Sequence, residues 1–184
     1  MAEINSLTMT TPNTAKSWLS VLQTSFIVFL LKLHDKNFNK RLIKSSKLYF
    51  YDTGLLSYLL GIASPKNLST HALRGPVFET WAVSELLKER MNRGLKEKFY
   101  FWRDNTGHEI DCIIENGDRL LPLEIESGKT INRDFFKGLK YWSKISKTEG
   151  EKAYFVYGGS MDQKRKDGNV LGWKSFAGRI PLIA

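Results

Sequence analysis

The chain has 184 residues, 42% of them hydrophobic, with 28 Lys and Arg against 19 Asp and Glu and a formal net charge of +9; that suits one domain with a small appendage and excludes global disorder. A single cysteine excludes an intrachain disulfide framework and a cysteine-based zinc site. The longest apolar run, Phe26–Leu31, is far shorter than the roughly 20 residues of a spanning helix, and MAEINSLTMTTPNT lacks the features of a signal peptide. The expectation is a soluble, cytoplasmic protein without a membrane partner, and its positive balance points first to nucleic acid.

In chain order, Thr11-Pro12 reads as a helix start, with Thr as N-cap and Pro at the first helical position. The helix would reach Gln23, with Trp18, Leu19 and Leu22 on its apolar side. Phe26–Leu33 reads as a buried strand or short helix. Between Lys36 and Tyr51 come five basic residues, Lys36, Lys40, Arg41, Lys44 and Lys47, and no acid. Lys47–Tyr51 reads as a strand, and Asp52 or Thr53 caps a short helix ending at Gly61. GIASPKNLS reads as a loop and places a soft boundary there, giving residues 1–60 and 61–184 as two units. From Gly61 on there are 21 basic and 16 acidic residues.

Gly75–Arg93 is the clearest helix, closed by Gly94. Three strands follow, Lys98–Arg103, His108–Glu115 and Arg119–Ser127, the last two joined by an Asn116-Gly117 hairpin that Asp118 lengthens slightly. Asn132–Lys147 reads as a second helix, Ala153–Tyr157 as a strand ended by Gly158-Gly159, and Val170–Trp173 as a short apolar strand. The order predicts a mixed α/β core with the second helix as a crossover.

Glu79 shares a stripe with Val83 and Leu86, at helical spacings of four and seven, and so should face inward. An inward carboxylate is costly without a partner; a structural partner such as Arg103, or a metal or general-base role, would account for it. In HEIDCII, alternation puts Glu109, Asp111 and Ile113 on one face, with Ile110, Cys112 and Ile114 on the other. Glu124 and Glu126 share a face opposite Leu123 and Ile125. The hairpin can bring Asp111 close to Glu124, so that Glu79, Asp111, Glu124 and Glu126 converge. Such a cluster repels itself unless a cation sits in it, and hard oxygen ligands suit Mg²⁺ or Mn²⁺. Solvated surface charge is the alternative for Glu109 and Glu126.

Arg133, Lys137, Lys140, Lys144 and Lys147 fall at spacings of 4, 3, 4 and 3, one face of a continuous helix, with Phe135, Leu139 and Trp142 opposite. A polyanion would relieve their repulsion and release counterions; a solvated face is the alternative. Together with Lys40, Arg41 and Lys44, these are the candidate DNA-binding residues.

The runs KSSKLYFYDTGLLSYLLGI, LRGPVFETWAVSELLK, FYFWRDNTGHEIDCIIENGDRLLPLEIESGKT and YGG resemble, in this order, the C-terminal domain of a large group of prokaryotic AAA-type ATPases, a domain catalogued as one of unknown function. The resemblance covers nearly the whole chain. It implies a PD-(D/E)xK, restriction-endonuclease-like nuclease fold. Carried over residue by residue, the helix acid is Glu79, the strand Asp is Asp111, and the first residue of Glu-x-Lys is Glu124. Asp111 and Glu124 would then hold Mg²⁺ or Mn²⁺, and Glu79 would assist through a water. Glu126 stands where the family carries Lys, the residue that positions or activates the attacking water; some restriction endonucleases that resemble this fold carry Glu there. No Gly-x-x-x-x-Gly-Lys-Ser/Thr phosphate loop occurs, so no ATP site is expected in this chain and the ATPase module is expected as a missing N-terminal partner. Thr11–Gln23 and the basic stretch to Lys47 resemble the end of the winged-helix region that joins the two modules.

Three functions compete at this point. One is a nuclease-like DNA-binding domain, with metal-dependent cleavage in question because of Glu126. The second is a non-catalytic module that regulates the ATPase or binds a protein. The third, a toxin-neutralising or partner-sensing role, has the least support from the residues.

Overall fold

A computed structural model describes residues 11–34, 45–147 and 153–183; Lys36, Lys40, Arg41 and Lys44 lie outside them. Helix α1 (Pro12–Thr24) begins as its sequence dictates, with Thr14 N–H donating to Thr11 Oγ1 at 3.2 Å and Pro12 in the first turn. Its expected apolar side is not fully buried: Trp18 is 55% and Leu22 38% exposed. Strands β1 (Val28–Leu33) and β2 (Lys47–Phe50) pair antiparallel. Asp52 caps α2 (Thr53–Leu59) through the Gly54 and Leu55 amides. The expected loop at GIASPKNLS contains a short helix, α3 (Pro65–Thr70), because Ser64 and Pro65 supply an N-cap and a first-turn proline.

Helix α4 (Arg74–Asn92) closes at Gly94, whose φ of 66° and N–H donation to Met91 O are those of a glycine C-cap. Then come β3 (Phe99–Arg103), β4 (Glu109–Asn116) and β5 (Arg119–Glu126). Asn116 pairs with Arg119, so the β4–β5 turn is the two-residue loop Gly117–Asp118, with Gly117 at φ 61°. Helix α5 (Lys137–Ser146) is preceded by a 3₁₀ turn (Arg133–Phe136), and β6 (Tyr154–Tyr157), β7 (Gln163–Arg165), β8 (Gly168–Gly172) and α6 (Trp173–Ile183) complete the chain.

The strands form one mixed eight-stranded sheet in the order β2-β1-β3-β4-β5-β6-β8-β7. Strand β1 runs parallel to β3, so residues on both sides of the expected boundary share this sheet. Strands β5, β6 and β8 are parallel neighbours, with α5 as the crossover between β5 and β6. One face is covered by α4 and α6, through Val83, Leu86 and Phe176 against Leu123, Val156 and Leu171, all within 2% of full burial. The other is covered by α5, through Leu139 and Trp142 against Trp102, Ile113 and Phe155. The architecture is a mixed α/β sheet with flanking helices, as expected.

One feature of the sheet corrects the alternation read from HEIDCII. Tyr100 pairs with Ile113 and Trp102 with Ile110, so two steps on β3 face three on β4. The extra residue is a β-bulge, and it inverts the phase of β4. Ile110 packs with Ile113 under α5, whereas Cys112 and Ile114 pack under α4. The bulge brackets Asp111, and bulges of this kind re-aim side chains.

Candidate functional site

Asp111 and Glu124 lie one step beyond the Cys112–Leu123 pair of the antiparallel β4–β5 ladder. Their carboxyls are hydrogen-bonded to each other, and the Ile125 N–H donates to Asp111 Oδ2 at 2.9 Å. Two carboxyls in contact need a proton or a cation between them. Burial, then the charge of Glu79, pushes Asp111 up to about 6. Burial and then the Asp111 charge push Glu124 well above the usual carboxylate range.

Above Glu124 sits Gly138, in the first turn of α5. A Cβ built there would lie 2.0 Å from Glu124 Oε1 and 3.0 Å from the Glu109 carbonyl oxygen. Gly138 is therefore the space into which the Glu124 carboxyl fits. Glycine to alanine inside a helix ordinarily gains about 1 kcal/mol. Here Glu124 would have to leave Asp111 and the Glu109 backbone would have to give, so Gly138→Ala is expected to destabilise by about 1–2 kcal/mol. A lower urea midpoint checks this; a higher midpoint would mean that the contact is not tight.

A cation does sit among the other acids, and it is Lys47 at the start of β2. Its ammonium donates to Glu79 Oε1 at 2.9 Å, touches Glu109 Oε1, and lies 3.6 Å from Asp111 Oδ1. Tyr49, two residues on and on the same side of β2, donates its hydroxyl to the same Glu79 oxygen at 2.5 Å. Burial works to lower Lys47, but Asp111, Glu79 and Glu109 outweigh it and hold the ammonium above its usual range. Burial and then the Glu79 charge likewise push Tyr49 up, so it stays a donor. Glu79 thus faces inward as its spacing requires, partnered by Lys47 and Tyr49. Arg103, the partner expected from the sequence, pairs instead with Glu109, Nε to Oε2, at 3.4 Å.

The structure therefore brings Glu79, Asp111 and Glu124 to one end of β4 and β5. It adds Glu109, which pairs with Lys47 and Arg103. Glu126 stands apart from Lys47 and accepts from the Gly128 N–H at 3.2 Å. Asp111, Glu124 and Glu126 open onto a cleft of about 430 Å³, walled by Gly107 and His108 on one side and by Lys137 and Gly138 on the other. In the sequence Lys47 is one of a basic run, and nothing there gives a role to Tyr49 or Gly138. A cation two residues before a strand tyrosine is the local trace of the first two.

No group of three or more His, Cys, Asp or Glu among the described residues has the spacing of a metal site. The donor chemistry of the Asp111–Glu124 pair still suits a hard divalent ion, which would take the place of the shared proton. Lys47 would remain with Glu79 and Glu109.

Arg133, Lys137, Lys140, Lys144 and Lys147 are all exposed. They do not form one continuous helical face: Arg133 lies in the 3₁₀ turn, and Lys147 follows the helix at φ 56°. Phe136 packing on Phe155 under the sheet accompanies that tighter first turn. Lys137 pairs with Asp134 at 3.0 Å and Lys140 with Asp167 at 3.1 Å. Arg133, Lys144 and Lys147 make no ion pair among the described residues.

Residues 74–176 match a family described as a domain of unknown function (DUF4143), and residues 1–66 match a second, also described as a domain of unknown function (DUF8612). An uncharacterized protein of Mycobacterium bovis and one of Mycobacterium tuberculosis are each 31% identical over 117 residues, which is 64% of this chain and 26% of theirs. The chain thus spans about a quarter of the length of the curated relatives it matches. Because the first family match takes in more than half of its residues, bulge, carboxylates and α5 included, the chain belongs to the DUF4143 family.

Proposed function

We propose that this chain is a nuclease-like, DNA-binding module of a longer protein that contains an AAA-type ATPase, with a restriction-endonuclease-like core preceded by part of a winged-helix segment. The DUF4143 family is commonly found with AAA ATPases, and the mycobacterial relatives are about four times the span of the match. The observation that carries the reading is the Asp111–Glu124 pair, set by a bulge at the mouth of a cleft whose far wall begins the cationic α5. A DNA backbone on the α5 side would lay a phosphate over that mouth, held by Lys137 and its exposed neighbours.

Asp111 and Glu124 are the residues that would hold Mg²⁺ or Mn²⁺, which when bound supplies a polarised phosphate and an acidified water. The remaining work falls to the chain. Lys47 holds Glu79, Glu109 and Asp111 in register, and Tyr49 fixes the Glu79 carboxylate. Gly138 keeps the approach to Glu124 open. Glu126 occupies the position of the Lys in the resembling motif, turned toward the Gly128 amide.

A second reading has its own support. Lys47 already neutralises acids that a metal would otherwise have to offset, which favours a non-catalytic module that binds DNA and regulates the ATPase.

Both readings share one expected outcome. The chain should bind duplex DNA without sequence preference, with log affinity falling linearly against log salt. Replacing Arg133 and Lys144 by alanine should weaken binding uniformly across sequences and reduce that slope by about 2. Fluorescence anisotropy across a salt series checks this. Absence of binding at low salt, or an affinity indifferent to salt, would overturn the DNA reading.

A further inference from the structure

On the opposite side of the β5 end from the carboxylate cleft lies a second depression of about 520 Å³. Glu126 borders the first and its neighbour Ser127 the second. The floor is aromatic: Phe78, Trp81 and Trp173 line it, and the Trp81 ring sits edge-on to Trp173 at 6.2 Å between centroids. Trp173 is 41% exposed, although a tryptophan is among the more costly residues to leave in water. Lys174 lies over the Trp173 ring.

The rim is cationic. Arg74 is fixed at two points, with Nε donating to Ser127 Oγ at 3.2 Å and Nη1 to the Ser69 carbonyl at 3.1 Å. Its Nη2 has no hydrogen-bond partner among the described residues, and the exposed Lys129 has no ion pair among them. No aspartate or glutamate among the described residues lines the depression. The first turn of α4, which carries Arg74, has no side-chain cap, so its positive end adds to the same field. An occupant that complements these walls has a flat aromatic face and an anionic group close to it.

We propose that this groove binds an unpaired nucleotide of single-stranded DNA, its base on Trp173 and Trp81 and its phosphate between Arg74 and Lys129. The inference rests on the DNA reading above and narrows it. A strand crossing the β5 end would place one nucleotide in the groove and the adjoining backbone at the carboxylate cleft, because Glu126 and Ser127 are consecutive. The preferred ligand is then a single strand, or a duplex with a frayed or single-stranded end, over a blunt duplex. Stacking supplies that preference because every base has a π-face, which inside a duplex is covered by the neighbouring base pairs.

The test is fluorescence anisotropy on the full chain at low salt, using labelled oligo-dT of about 16 nucleotides and a blunt duplex of equal length. The single strand is expected to bind more tightly. Trp173→Ala is expected to weaken single-strand binding by about tenfold while changing duplex binding little. Lys129→Glu, at an exposed position, should weaken the single strand in the same way. A single strand containing 2-aminopurine should lose fluorescence on binding to wild type and not to Trp173→Ala. If both DNAs bind equally and neither variant discriminates, the groove inference is overturned while the DNA reading stands. If neither DNA binds, both fall. If an acidic, tryptophan-containing peptide binds and oligo-dT does not compete with it, the groove takes a protein segment and the inference is overturned.

Discussion

Lys47→Met is expected to lower folding stability by about 3 kcal/mol. Two limits bracket that figure. An exposed ion pair contributes about 0–1 kcal/mol, and removing one partner of a buried pair costs about 3–5 kcal/mol. The Lys47 side chain is 25% exposed, and Glu79, Glu109 and Asp111 are 23%, 26% and 18% exposed, so the cluster is mostly withdrawn from water. Three acids lose one cation at once, which places the cost near the buried limit. Methionine keeps the aliphatic stem and removes only the charge. Urea unfolding at unchanged m-value measures the loss. In a double-mutant cycle, Glu109→Gln should be less harmful, or beneficial, once Lys47 is gone, because it removes one of the stranded charges. A loss below about 1 kcal/mol would show that the acids are neutralised by solvent.

Asp104→Ala is expected to cost a similar amount, about 3 kcal/mol, and to carry a pH signature. Asp104 follows β3 and is fully buried. It accepts from Thr106 N at 2.9 Å, Thr106 Oγ1 at 2.8 Å, His108 N at 3.0 Å and the Tyr141 hydroxyl at 3.1 Å. His108 also stacks on Tyr141 with ring centroids 3.6 Å apart. The carboxylate thereby ties the β3–β4 loop, a wall of the cleft, to α5. Burial alone would raise Asp104, but the donors from Thr106, His108 and Tyr141 outweigh it and hold it down to about 2. A depressed acid stabilises the fold above its unfolded value of about 3.9, and that stability is lost as pH falls toward 2. Wild-type stability should therefore drop between about pH 4 and pH 2 by more than that of Asp104→Ala. Thermal melts across that range check both points. A loss of roughly 6–12 °C near neutral pH is the corresponding shift in midpoint for a domain of this size. Parallel pH profiles for the two proteins would show that the loop does not depend on this charge.

Much of the fold is legible because its signals are local. Thr11-Pro12, Asp52 and Gly94 mark helix ends, and Asn116-Gly117 marks the hairpin one residue early, since the loop is Gly117–Asp118, through interactions reaching four residues or fewer. Two further ends rest on equally local signals. Ser64-Pro65 caps α3, and Lys166-Asp167 turns β7 into β8, just ahead of Gly168 at φ 149°. The rest of the site is non-local. Lys47 and Glu79 are 32 residues apart, and only the docking of β2 beside α4 makes them partners. The bulge at Asp111 depends on how β3 lies against β4, which no period-two pattern contains. Gly138 looks like an ordinary helix-weakening residue until the Glu124 carboxyl is placed beneath it. The pairing of Asp111 with Glu124, by contrast, needs only the Gly117–Asp118 loop and a count along two strands.

Whether that pair is a nuclease-like centre or a proton-bridged contact within a binding module is decided most directly by Mn²⁺ binding to the intact chain, followed by electron paramagnetic resonance. One bound Mn²⁺ in wild type, lost in Asp111→Asn and in Glu124→Gln but retained in Glu126→Gln, is the expected result. No bound Mn²⁺ in wild type, or binding that survives both Asp111→Asn and Glu124→Gln, would contradict a metal role for the pair and leave the carboxylates to Lys47.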